Sequence, residues 1–167
     1  MRPSSCLMLS VGLFLVSVAC TPSSDPPTML PALSPNGISA SLPPAAGTPL
    51  YSLDKIGDVV EPFAKQPVHV QSDGEIQLSG FAVDKVAKDL AGGVDIAIDG
   101  LAFSAHYGIS RPDVAAYFKI ATYGQAGFSF SIPARYFGRG RHKLAVRVVS
   151  KDKTRYYEGP VLEVNIM

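Results

Sequence analysis

Three residues within one short connection, His106, Ser110 and Asp113, are of the types that build a hydrolytic triad. A working triad needs an orienting carboxylate, a base and a nucleophile in hydrogen-bond series beside an oxyanion hole. Ser110 stands just before Arg111-Pro112, where a helix start offers it an N-cap role. Asp113 falls in the first turn, where a carboxylate complements the helix dipole. We therefore read these residues as helix-start chemistry. Gly127-Phe128-Ser129-Phe130-Ser131 approaches a nucleophile elbow but lacks its second glycine, and alternation makes Ser129 an outward strand residue. Asp95 and Asp99 on one strand would stand roughly 13 Å apart, beyond the roughly 5 to 9.5 Å of glycosidase carboxylate pairs. They read as solvated charges on the outer face. His69, His106 and His142 have no ligand spacing, and Gly138-Arg139-Gly140 lacks the Lys-Ser/Thr ending of a phosphate loop. No catalytic residue, metal ligand or cofactor site is expected.

One cluster remains as a candidate binding surface. Arg135, Arg139, Arg141 and Lys143, with Arg147 further along, gather around Tyr136 and Phe137. Such a group suits an acidic glycan or lipid headgroup, the aromatics serving as apolar platforms; it equally suits a solvated turn whose aromatics plug one end of the fold. Tyr107, Tyr123, Tyr136, Tyr156 and Tyr157 invite the same question. Exposed, coplanar rings would make a carbohydrate-binding face, and inward rings would not. Lys and Arg together number 15 against 14 Asp and Glu, so no overall field favours nucleic acid.

Beyond Tyr51 the chain runs in short alternating segments punctuated by Gly, Asp and Pro, the pattern of half-buried strands. Ile76 and Leu78, Val94 with Ile96 and Ile98, Phe128 with Phe130 and Ile132, Leu144 with Val146 and Val148, and Leu162 with Val164 and Ile166 each define one apolar face. Asp73-Gly74 and Asp99-Gly100 carry hairpin chemistry, and Lys151-Asp152-Lys153 makes a third turn. The helical candidate is Pro112 to Phe118, with Val114, Tyr117 and Phe118 set to face the core. These elements predict an all-β, immunoglobulin-like antiparallel β-sandwich of about seven strands with one short helix. A small closed barrel is the alternative.

The preceding residues read as an address and a tether. Arg2, the apolar run from Leu7 to Val18 and the small residues Ser17-Val18-Ala19 form a signal peptide over 1–19. Val16-Ser17-Val18-Ala19-Cys20 resembles the lipobox of bacterial lipoproteins, which implies lipidation of Cys20 and, with Thr21 following, an outer-membrane destination. Ser17 departs from the branched apolar residue usual there, and ordinary signal peptidase would also accept this site, leaving secretion as the alternative. Residues 20–50 then form a disordered Pro-rich linker, and 51–167 the folded domain.

Several segments resemble an Ig-like module appended to bacterial envelope proteins. They are Leu53-Asp54-Lys55-Ile56, Ser79-Gly80-Phe81-Ala82-Val83-Asp84, Gly93 to Gly100, Tyr107-Gly108-Ile109-Ser110-Arg111-Pro112-Asp113-Val114-Ala115, Gly127-Phe128 and Gly140-Arg141-His142-Lys143-Leu144. The family commonly places Trp where Phe81 stands. The resemblance implies a fold and a cellular setting, not a reaction. The expectation is a non-catalytic envelope module held at the membrane through Cys20, its partner an envelope protein or, alternatively, a cell-surface or cell-wall glycan. A small hydrolase using His106 and Ser110 is the third reading.

Overall fold

The computed structural model describes residues 34–167. The signal peptide and the lipidation site at Cys20 lie outside the described residues.

Among the described residues twelve strands, rather than about seven, form two six-stranded sheets. In the first sheet, β1 (Leu50–Ile56) lies between the short β2 (Val59–Val60) and the long β4 (Glu75–Asp84); β9 (Gly127–Pro133) follows β4, and β8 (His106–Ile109) forms the far edge. The two-residue β5 (Asp89–Leu90) also pairs with β4. The second sheet runs from β3 (Val68–Val70) through β12 (Leu162–Ile166), β10 (Gly140–Val149) and β6 (Gly93–Ile98) to β7 (Leu101–Ser104), with β11 (Tyr156–Glu158) also on β10. All pairings are antiparallel except that of β3 with β12. The count exceeds expectation because short paired segments such as β2 and β5 are too brief to show alternation. Asp99-Gly100 makes the β6–β7 hairpin, both residues at positive φ as a tight primed turn requires. Asp73-Gly74 does not make one: it connects β3 of one sheet to β4 of the other.

The inward residues of both sheets form one core that includes Ile76, Leu78, Ile96, Phe128, Leu144, Val146, Leu162 and Val164. These are the positions that alternation places inside. A second cluster sits on the outer face of the first sheet, where α1 (Pro112–Phe118) and the following 3-10 turn cover Val83 with Val114, Tyr123 and Ala126. Phe118 packs edge-on against Phe81 and Tyr123. Tyr117, expected to face the core, is 81% exposed. In a helix this short, Val114 and Phe118 at i, i+4 share the buried face and Tyr117 is turned away. Nor does Ser110 cap the helix: Arg111 occupies the N-cap position, and no side chain caps it.

Residues 34–49, expected to belong to the linker, are packed along the second sheet. Gly37 N–H donates to Ala102 O at 2.9 Å, Asn36 Oδ1 accepts the Ser104 N–H at 3.0 Å, and Ala45 N–H donates to Tyr156 O at 2.7 Å. Close approach is possible because the outward positions beneath are small: Gly93, Ala97, Ala102 and Ala145 are all buried. A side chain at Gly93 would place its Cβ 2.7 Å from Ile38 Cδ1. Pro-rich composition forbids a core of the segment's own but does not forbid docking on someone else's. The same strap buries Asp95, expected on a solvated face. Its Oδ2 accepts the Ser39 N–H at 2.5 Å, and its Oδ1 lies 3.0 Å from Ser104 Oγ.

Candidate polar groove on the first sheet

The upper half of the first sheet's outer face is covered by α1. The lower half is bare and polar. Lys55 on β1 pairs in register with Ser79 on β4, Ser79 with Ser129 on β9, and Ser129 with His106 on β8. Neighbouring strands lie about 4.8 Å apart, so this row crosses four strands over roughly 14 Å. A β-bulge sets its first member. Leu53 and Ile56 are both buried, which strict alternation forbids for residues three apart; the register shift between Leu53 and Lys55 absorbs the extra residue and leaves Lys55 outward. All four row residues line one groove of about 750 Å³. It is walled at one side by Ser34 and Asn36 of the strap and by Phe103 and Ser104 of β7.

Within this groove Gln77 and Ser131 are already engaged. Glu75 Oε2 accepts from Ser131 Oγ at 2.5 Å and from Gln77 Nε2 at 3.0 Å, and these bonds hold its carboxyl below the usual range. By contrast, the side chains of Lys55, Ser79, Ser129 and His106 make no hydrogen bond among the described residues. The row therefore offers two hydroxyls, an ammonium and an imidazole to whatever occupies the groove.

The residues weighed from sequence fall elsewhere or apart. Ser110 is exposed and forms no bond with His106, while Asp113 is held by Arg111 at 2.8 Å and so kept below its ordinary acidity value. The three do not form a hydrogen-bond series. Asp99 lies in the β6–β7 turn rather than on the strand, with His142 Nδ1 at 2.7 Å and the Lys143 N–H donating at 2.9 Å. Burial pushes its carboxyl up, but those hydrogen bonds outweigh it and the net shift is downward. No group of three potential metal ligands occurs among the described residues.

The basic cluster is divided. Arg135 and Arg139 share a crevice of about 410 Å³ with Ser72 and Asp73, whereas Arg141 pairs with Glu163 at 3.6 Å and Lys143 stands exposed on β10. Tyr136 and Phe137 pack against the main core instead of forming an open platform. Tyr123 is buried, and Tyr107 reaches inward, its hydroxyl donating to Ala82 O at 2.7 Å and accepting the Ala91 N–H at 3.0 Å. Tyr156 lies under the Arg147 guanidinium. Tyr157, beside it on β11, is half-buried. Sequence reasoning placed Ser129 outward but missed the groove, because the register that aligns it with Lys55 and His106 is a long-range property.

No protein-family model and no curated protein matches this chain. Among solved structures, the chain is similar to the endo-beta-1,4-mannanase from Thermotoga petrophila, at 7% identity and a TM-score of 0.44, over 74% of this chain and 20% of that one. The chain thus spans about a fifth of that protein's length. A likeness of this size carries no argument about function.

Proposed function

We propose that this chain is a non-catalytic, lipid-anchored envelope protein with an Ig-like sandwich, whose groove on the first sheet binds an extended glycan. The single observation behind this reading is the cross-strand row of Lys55, Ser79, Ser129 and His106, four polar side chains without partners among the described residues, set in one groove. Polar groups left unpaired on a concave surface are the usual means of orienting a ligand, and about 750 Å³ lies within the range of small-ligand sites. The groove's hydroxyls and amides match the donors and acceptors of a polyhydroxylated chain, and Leu78, Phe103, Phe130, Ile132 and Pro133 supply apolar surface beside them. Anchoring follows from the Cys20 reading. Labelled palmitate should enter the wild-type protein and not Cys20→Ser; label in neither would remove the anchor.

The binding claim is tested by affinity electrophoresis of the full chain through gels containing neutral and acidic polysaccharides. Retardation by at least one polymer is expected. Ser79→Val and Ser129→Val, which suit strands and fill the groove with methyl groups, should abolish it while thermal unfolding stays close to wild type. Retardation unchanged in both variants would refute the groove as the site.

A further inference from the structure

We infer that the groove takes an acidic saccharide, one bearing carboxylates along its length; this rests on the reading above that the groove holds a glycan. The lining contains no Asp or Glu at all, and its charged or chargeable members are Lys55 and His106. Carboxylates nearby are already committed. Asp54, the chain neighbour of Lys55, is held by Arg111 Nη1 at 2.7 Å and by Ser52 Oγ at 2.7 Å, and Glu75 is held by Ser131 and Gln77. Lys55 therefore keeps an ammonium with no ion-pair partner among the described residues, at one end of a row whose lining has no carboxylate; the Glu75 carboxylate, held only by neutral donors, stands four residues along β4 from Ser79.

The β-bulge is what makes this arrangement. It leaves Lys55 outward beside Ser79, on the same face as Asp54, whose carboxylate Arg111 holds. The Arg135–Arg139 crevice is the contrasting case, because Asp73 lines it beside the cations. An acidic polymer crossing the strands would set one carboxylate against Lys55, place ring hydroxyls over Ser79 and Ser129, and bring an acidic unit further along the chain to His106, roughly 14 Å away. Neutral saccharides would satisfy the hydroxyls and leave the ammonium without a counter-charge.

The test compares polygalacturonate with its fully methyl-esterified form, which keeps the backbone and removes the charge, by calorimetric titration of the full chain. Tighter binding of the acid form is expected. Lys55→Gln should weaken it about fivefold, the scale of an exposed ion pair, and weaken binding of the ester less, while Lys55→Arg retains the preference. Equal binding of both polymers, still abolished by Ser129→Val, would overturn the acidic inference and leave the glycan reading standing. A preference that survives Lys55→Gln but is lost in Arg139→Gln would also overturn it, placing the charge recognition in the other crevice. Binding of neither polymer, with a neutral glycan bound instead, would overturn it too; no glycan bound at all would remove both readings.

Discussion

Two tyrosines show how differently one hydroxyl can weigh in the same fold. Tyr107 bonds Ala82 O and the Ala91 N–H, joining β4 to the start of the β6 approach, while the Tyr51 hydroxyl is buried against Gly159 with no partner among the described residues. Removing a hydroxyl that satisfies two backbone groups leaves them unpaired, at a cost of about 1 to 3 kcal/mol; removing one that is itself unsatisfied costs nothing. Tyr107→Phe should therefore lower stability in denaturant titration by that amount, and Tyr51→Phe should be neutral or stabilising. Burial pushes both hydroxyls up to about 12. Their folded values stand above the roughly 10 of an unfolded tyrosine, so the stability they contribute is complete below that value and is lost as pH rises through the folded one. Unfolding midpoints should fall between pH 10 and pH 12, and less steeply in the double Phe variant. A midpoint flat across that window would contradict the burial of both groups.

At the scale of elements, the strap over 34–49 is the part that sequence reading most misplaced. Alternation correctly turned Ile96 to the core and Asp95 to the other face, because side-chain period is a local property. It could not say that another segment covers that other face. The cue lay in Gly93, Ala97, Ala102 and Ala145, outward positions too small and apolar for a solvated surface. Asp95→Ala should cost about 1 to 3 kcal/mol, because the buried Ser39 N–H loses its acceptor, while the Ser104 hydroxyl still has the Asn36 carbonyl. It should also speed amide exchange at Gly37 and Ser39 more than in β10. A chain beginning at Tyr51 should melt lower than one beginning at Ser34, since it uncovers this face; equal melting temperatures would mean that the strap adds no stability. Likewise Lys55 was unreadable from sequence because a bulge breaks the period, and Tyr117 because seven helical residues give only one face to cover.

For the whole molecule, two packed sheets were legible from the apolar periods, while strand count, the Asp73-Gly74 crossover and the parallel β3–β12 pair were not, since each depends on which distant strands meet. That same long-range pairing creates the candidate site: residues separated by up to 74 positions, Lys55 and Ser129, come into one row through β4. The ligand-contacting surface is expected to be this row, and not the Arg135–Arg139 crevice or Ser110. That expectation is tested most directly by heteronuclear NMR of the isotope-labelled protein titrated with polygalacturonate or with the polymer that binds best. Saturable shifts centred on Lys55, Ser79, His106 and Ser129, with Arg135, Arg139 and Ser110 unmoved and the polymer intact at the end of the titration, are the expected result. Shifts centred on Arg135 and Arg139, or cleavage of the polymer during the experiment, would contradict the account.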